Sequence, residues 1–371
     1  MSDGSDQPAD SVAEAFDRSR DPLAEHEAAF DALDVDPFAM FVDEHLAERD
    51  LAASTLNTYR GVFDDWQAFM TTTVGRHPAC PAPPHVEAFM TYLQQERGNH
   101  LTTVRQKLGR LNAVYEFWQD HPAFPHSQAF NPVQLVLSRN DFEPDEAEKT
   151  PPDLTLGEIR AVLQSVTQIR DRLIILLQLK LGLRASELCN IKLRDLSLHA
   201  PEAAAYYEDL GAHWALAGRP NALYIPHDRA RNKSGNPRVL PLDDETRTLT
   251  RQYLRRRPTA DSPYLFLAKQ TNSKLAHQDV TGVWTDAFQP LYEETKRRRA
   301  VTSHYGRHRF TTFWRVEQDL PRPLVKYLRG DVPGTKSIQE KAGIDEYIHT
   351  FYEDIASRYR RDIYSLLEVQ E

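Results

Sequence analysis

The sequence predicts a mainly helical protein with a small β-sheet, divided into two domains. Three observations carry that expectation. Apolar residues recur at helical spacing from Asp36 to Val133. A polar stretch with three prolines, 138–152, follows them and reads as a linker. Beyond it, a helix-start motif and a buried helix precede apolar strands flanking a Lys-Ser-Gly-Asn-Pro turn. At 371 residues the chain is long enough for two domains with cores of their own.

The elements follow in order. Residues 1–35 are acidic and rich in small residues, which predicts a mobile tail with at most a short helix near Leu23–Leu33. Such a charge run reads first as a solvated segment; occupation of a basic groove in the manner of DNA is the sharper alternative. Residues 36–137 form the first domain. Phe38, Phe41 and Leu46 start its first stripe. Ser54 is a candidate N-cap ahead of Leu56, Tyr59, Phe63, Trp66 and Met70. Pro84 opens a helix carrying Val86, Phe89 and Leu93. Thr102 or Thr103 opens another, carrying Val104, Leu108, Leu111, Tyr115 and Trp118, and Asn131-Pro132-Val133 closes the segment. The aromatics read as core, while Arg60, Arg105, Lys107 and Arg110 lie on other faces and could follow phosphates. Residues 153–371 form the second domain. Thr155-Leu156-Gly157-Glu158 is a capping box, and Leu173–Leu177 is a buried helix too short to span a bilayer.

Composition narrows the class. Cys80 and Cys189 are the two cysteines, without metal-ligand spacing around them, so neither a disulfide framework nor a structural zinc site is expected. The acidic start lacks the basic region of a signal peptide, and a cytoplasmic protein without a membrane segment is expected. The net charge of −9 is unevenly placed. Residues 1–50 hold 15 Asp/Glu against 3 Arg, and the remainder holds 42 Lys/Arg against 39 Asp/Glu, so the body can still present basic faces to DNA.

The residues that carry chemistry lie in the second domain. Gly182-Leu183-Arg184-Ala185-Ser186-Glu187 sets an arginine at a helix start; taken alone, it is equally an ordinary Arg–Glu helix pair. Lys233 sits in the turn between Ile225-Pro226 and Arg238-Val239-Leu240-Pro241-Leu242. His304-Tyr305-Gly306-Arg307 places His304 and Arg307 on one helical face. Lys296-Arg297-Arg298-Arg299 and Arg255-Arg256-Arg257 are basic runs suited to phosphates. His304 and His308 stand at the spacing of a metal pair, but no metalloprotease-type glutamate follows His304.

This set, in this chain order, resembles the tyrosine recombinase family: phage integrases and Xer-like enzymes, the archaeal type included. The resemblance implies a two-domain DNA clamp, with a helical, SAM-like core-binding domain at 36–137 and a catalytic domain at 153–371. It implies Arg184 and Arg307 as phosphate clamps, with Glu187 behind Arg184. Lys233 would be the general acid, with Arg238 following it as a further DNA contact. His304 would be a proton-shuttling or hydrogen-bonding partner, and His308 a packed structural residue. Tyr352 would be the nucleophile, with Tyr347 as runner-up and Tyr359 as packing. Guanidinium forks match phosphate oxygens and stay charged, so neither metal nor other cofactor is expected. The implied partners are double-stranded DNA and further copies of the chain, as a tetramer.

The sequence departs from that pattern at Val325-Lys326-Tyr327-Leu328-Arg329-Gly330-Asp331. There Asp331 stands where the family usually has histidine or tryptophan, and an insertion, Val332–Ile344, follows. An ionised carboxylate cannot donate to a phosphate, so Asp331 is expected to brace Arg184 or Arg307, with His349 or Lys336 supplying the donor. The expected function is site-specific recombination through a 3′-phosphotyrosine, in a mobile element or a related setting. A catalytically silent DNA-binding protein on the same fold and a type IB topoisomerase are the alternatives.

Overall fold

The computed structural model describes residues 15, 16, 19, 21–49, 51, 53–142, 149–232, 234, 236–295, 297–331 and 341–367. The chain divides into two compact units, Met1–Glu148 and Lys149–Glu371.

The first unit is helical: α1 (Glu27–Asp31), α2 (Pro37–Met40), α3 (Ala53–Phe69), α4 (Pro83–Gln95), α5 (Leu101–Asp120) and α6 (Pro132–Arg139). The stripes read from the sequence are its core: Phe63 and Trp66 of α3, Val86, Phe89 and Leu93 of α4, and Val104, Leu108, Leu111, Tyr115 and Trp118 of α5 are buried together. The polar tips of two of these rings are satisfied at one point. Trp66 Nε1–H and the Tyr115 hydroxyl donate to the Pro78 carbonyl at 3.0 and 2.6 Å.

Helix starts differ in detail from the sequence reading. Asp36 caps α2 by accepting the Phe38 N–H at 2.8 Å. Ser54, Thr102 and Thr103 lie inside the first turns of α3 and α5 rather than capping them. Asn131-Pro132 opens a helix instead of closing the segment, because the Asn131 side-chain oxygen accepts the N–H groups of Val133 and Gln134, both at 3.0 Å. Part of the segment expected as a mobile tail is packed. Leu23 and Phe30 are buried in this core, Arg76 holds Asp21 at 2.7 Å, and His77 N–H donates to Glu27 at 2.9 Å. Two apolar anchors and two carboxylates with partners fix residues that composition alone assigns to solvent.

The second unit contains α7 (Leu156–Ser165), α8 (Ile169–Leu181), α9 (Ala185–Cys189), β1 (Leu196–Ser197), α10 (Pro201–Tyr206), β2 (Ala222–Ile225) and β3 (Arg238–Pro241). It continues with α11 (Asp244–Leu254), α12 (His277–Phe288), α13 (Ser303–Thr312), α14 (Arg322–Arg329) and α15 (Lys341–Asp362). The strands form an antiparallel sheet in the order β1-β2-β3, with Leu196 opposite Leu223 and Ile225 opposite Arg238. The expected capping box starts α7: Thr155 Oγ1 accepts the Glu158 N–H at 3.2 Å, and the Glu158 carboxylate accepts the Thr155 N–H at 2.8 Å. Among the described residues, no helix is long and apolar enough to cross a membrane.

Helix α8 is the axis of the unit. Leu173 through Leu181 are all buried, and α11, α12 and α13 pack on it. A helix buried on all sides cannot leave its last carbonyls to water. Two tyrosines take them: Tyr364 O–H donates to Leu179 at 2.6 Å and Tyr359 O–H to Lys180 at 2.8 Å. The Lys180 ammonium, fully buried, is held between Asp243 and Glu245. Glu245 also accepts the Leu366 N–H at 2.9 Å. The end of the described chain therefore packs in cis on its own unit.

Replacing Lys180 with alanine leaves two buried carboxylates unpaired. It is expected to cost about 3–5 kcal/mol of stability, measured by urea unfolding. A cost below about 1 kcal/mol would show that this cluster does not hold the tail.

Candidate active site

The site forms where α9, α13 and the end of α14 meet. Arg184 precedes α9 with extended backbone, so its side chain is free to point away from the helix. Its backbone N–H donates to Glu187 Oε2 at 2.9 Å, and Nη1 approaches Oε1 at 3.3 Å. Glu187 is thus the reciprocal partner of the helix start, and it has a second task. Its carboxylate also receives both arms of Arg238 from β3, at 3.1 and 2.9 Å. Burial alone would keep Glu187 protonated. The Arg238 charge and hydrogen bonds, with those of Arg184, overcome it and bring the carboxyl to about 2.

Arg238 corrects the sequence reading. It was expected on DNA, yet its side chain is 1% exposed, bound to Glu187 and, through Nε, to the Leu328 carbonyl at 3.0 Å. Every residue of β3 is buried, and Arg238 joins the strand to α9 and to the end of α14. Gly330, at φ +68°, ends α14 directly against the Arg238 guanidinium, where any Cβ would collide. Arg257 is a similar case, spent on the carbonyls of Leu265, Ser262 and Tyr264 at 3.1, 2.9 and 2.7 Å.

Arg307 lies on α13 with its side chain 8% exposed. Nη1 donates to the Gly182 carbonyl at 2.7 Å, and Gly182 ends α8 at φ +62° with the Phe310 ring where a Cβ would be. That close contact of α8 and α13 sets the depth of Arg307. Burial and the neighbouring Arg184 charge lower its pKa to about 9, against the pull of Asp331 and Glu187, so it is cationic near neutrality.

The two guanidiniums converge on one atom. Arg184 Nη2 and Arg307 Nη2 both donate to Asp331 Oδ1, each at 2.7 Å. The other carboxylate oxygen faces Arg329 Nε at 2.9 Å. Asp331 therefore stands between the two arginines rather than behind one of them.

The remaining candidates are placed as follows. His304 is exposed on the first turn of α13, and His308, expected to be packed, is exposed as well. Lys233, Lys296 and Lys336 lie outside the described residues. Asn232 is held by its side chain: Nδ2 donates to the Pro226 carbonyl and Oδ1 accepts from Asn190, both at 2.7 Å. Arg297, Arg298 and Arg299 are exposed beside Thr150, whose N–H donates to the Arg297 carbonyl at 3.2 Å. In the first unit, Arg60 and Arg105 are exposed, Lys107 pairs with Asp65 at 2.8 Å, and Arg110 sits 5.9 Å over the Tyr59 ring. His349 is exposed and faces Glu353 at 3.7 Å. Among the described residues, no three or more His, Cys, Asp or Glu side chains group as a metal site requires.

Both candidate nucleophiles are on α15. Ile344, Ile348, Tyr352, Ile355 and Tyr359 form its buried stripe, a spacing visible in the sequence that marks Tyr352 as a core position. The Tyr352 hydroxyl meets Arg360 at 3.1 Å and its ring lies 5.8 Å from the Arg219 guanidinium. Burial raises its pKa, opposed by those two charges. Tyr347 stands on the flank of the stripe, half-buried against Tyr327 and Phe351. Its hydroxyl shares a hydrogen bond with Asn236 and feels the charge of Arg238. Burial still raises it to about 12, so either phenol enters a reaction protonated.

Glu187→Gln tests the frame of the site. A carboxyl depressed from 4.5 to about 2 stabilises the fold by about 3 kcal/mol. That stability is complete above about pH 4.5 and is lost as the pH falls toward 2. The gap between wild type and variant is expected to be full at pH 7 and to narrow in that window; a gap independent of pH would refute the assignment.

Comparison with known proteins fits this geometry. Residues 153–330 match the phage integrase family. Tyrosine recombinase XerA of Pyrococcus furiosus is 32% identical over 184 residues, which cover 48% of this chain and 53% of that protein. Tyrosine recombinase XerC of a Roseiflexus species is 26% identical over 280 residues, covering 72% of this chain and 76% of its own length. The match thus spans about half the length of the first of these relatives. Among solved structures, the Tn1549 transposon integrase in complex with transposon right end DNA superposes with a TM-score of 0.59 at 16% identity, covering 86% of this chain and all of that one. A lambda integrase tetramer bound to a Holliday junction gives 0.57 at 13% identity, covering 89% of this chain and 87% of that one. At such identities the structures establish the mainly helical fold with its small sheet, and the sequence match is confined to one stretch: residues 153–330 match the phage integrase family and are similar to Xer tyrosine recombinases.

Proposed function

We propose that the protein is a site-specific DNA recombinase that cuts and rejoins DNA through a 3′-phosphotyrosine. The observation that carries the reading is the convergence of Arg184 and Arg307, both within the region that matches the family, on a single anionic oxygen. Two guanidinium groups so placed can bind the non-bridging oxygens of a scissile phosphate and neutralise the charge that grows as five-coordinate phosphorus forms.

The step balances without an external energy source. A tyrosine oxygen forms a bond to phosphorus as the bond from phosphorus to the 5′-oxygen breaks. The phenolic proton leaves through His304 or water, and Lys233 gives the departing oxygen its proton. The phosphodiester is conserved in the protein–DNA link, so a 5′-hydroxyl of another strand can reverse the step. Double-stranded DNA is the substrate, Arg60, Arg105 and Arg297–Arg299 are its backbone contacts, and a tetramer on DNA is the working assembly.

The geometry favours Tyr347 over Tyr352 as the nucleophile. Tyr347 is linked through Asn236 and Arg238 to the segment carrying Lys233 and to Glu187, whereas Tyr352 belongs to the core stripe and contacts Arg219 and Arg360.

The test is recovery of a nucleotide-modified peptide from DNA-treated protein in EDTA. Tyr347→Phe is expected to abolish the adduct and Tyr352→Phe to retain it with reduced stability; the reverse pattern would return the nucleophile to Tyr352. Arg184→Ala and Arg307→Ala are each expected to slow adduct formation by roughly 10²-fold or more. DNA binding with no adduct in any form would identify a silent DNA binder instead, and relaxation of supercoils without strand exchange would identify a topoisomerase.

A further inference from the structure

We infer that Asp331 is a built-in stand-in for the scissile phosphate: its Oδ1 occupies the position of a non-bridging phosphate oxygen between Arg184 and Arg307 and must leave it when DNA binds. The inference rests on the recombinase reading and adds a control step to it.

Three features separate a stand-in from an ordinary brace. A bracing carboxylate holds one guanidinium from behind and leaves its donors aimed outward, as Glu187 does for Arg238 with both arms buried. Asp331 instead places one oxygen between inner arms of two different arginines, each at 2.7 Å. That is the arrangement in which two forks would grip one phosphoryl oxygen. Second, the two arginines have other permanent partners. Arg184 keeps Glu187 and Arg307 keeps the Gly182 carbonyl, so loss of Asp331 does not release them. Third, Asp331 is itself not locked in. Its side chain is 25% exposed, whereas Glu187 is fully buried. The carboxylate needs only to turn about its own Cβ to vacate the position, and Arg329, with Nε at 2.9 Å from Oδ2 and a side chain 32% exposed, is a cation beside which it can remain.

The electrostatic consequence is direct. Arg184 and Arg307 repel each other, and the proximity of Arg184 is among the causes that lower the affinity of Arg307 for its proton. A carboxylate between them offsets that repulsion when DNA is absent and keeps stray anions out. A duplex brings many phosphates at once and can displace it; a single small anion cannot do so as readily. Asp331 is in this sense a positioning residue, and it sets a threshold for what may occupy the clamp.

The experiment uses the full chain and inorganic tungstate as the probe, read by thermal stabilisation and by anomalous scattering from crystals. Asp331→Asn keeps the shape and removes the charge. The variant is expected to bind tungstate between Arg184 and Arg307 roughly tenfold or more tighter than the wild type. Equal binding, or weaker binding by the variant, would overturn the inference and return Asp331 to a bracing role. Should the variant fail to fold, the wild type at high tungstate decides. Tungstate between the arginines with Asp331 turned away supports the inference. Tungstate there with Oδ1 still bridging overturns it; an empty clamp while other basic sites fill agrees with it, the carboxylate keeping small anions out. The two readings fail separately: a variant that gains the anion site in a chain that never forms a tyrosine–DNA adduct keeps the stand-in and loses the recombinase, and adducts without the gain do the opposite.

Discussion

The ionised carboxylate of Glu187 is the interaction on which the site depends. It is buried, and it is shared between the start of α9 and the inward face of β3. A buried charge of this kind is tolerated only with full compensation, and here both arms of Arg238 and the N–H of Arg184 supply it. The ion pair fixes more than a helix end. Arg238 also reaches the Leu328 carbonyl, and the glycine after α14 allows the backbone to pass directly over its guanidinium. The position of Asp331 relative to Arg184 follows from that chain of contacts. A carboxylate with too little compensation would protonate, and β3, α9 and the end of α14 would lose their common anchor.

Helix α8 plays the corresponding part for the core. Its apolar run is buried on all sides, so its polar ends must be satisfied by other parts of the chain. Tyr359 and Tyr364 take the last carbonyls, Arg307 takes that of Gly182, and Lys180 is enclosed by Asp243 and Glu245. One consequence concerns function: two of the four late tyrosines are fully committed to structure by their hydroxyls. Another is that the tail and the site share a scaffold, because the helix that receives the tail also positions Arg307.

Electrostatics divides the arginines into two kinds. Arg238 and Arg257 are internal and satisfied by protein groups, while Arg60, Arg105 and Arg297–Arg299 face solvent. Arg184 and Arg307 fall between, each with one arm committed to the protein and another meeting Asp331. Residue type could not make this division. A run such as Arg255–Arg257 reads as one basic patch, yet Arg255 pairs with Glu202 at 2.9 Å at the surface while Arg257 binds backbone carbonyls inside.

The sequence by itself determined the elements whose signal is local. The helical stripes of the first unit, the Thr155 capping box, the buried run of α8, the two strands around Lys233 and the His304–Arg307 face are all written in spacing over a few residues, because helix and strand periodicity and capping are short-range. It also carried the resemblance to tyrosine recombinases, since the motif residues occur in one chain order. The tertiary structure alone decided the rest. Arg238 is held inside by Glu187, a partner 51 residues away, on a strand buried throughout. Leu23 and Phe30 left the acidic tail because a core exists for them to enter. The hydroxyls of Tyr359 and Tyr364 reached the carbonyls of Lys180 and Leu179 across 179 and 185 residues of sequence. Asp331 reached both clamp arginines across 147 and 24 residues of sequence. A carboxylate meets its cation through space, and spacing along the chain does not record that distance.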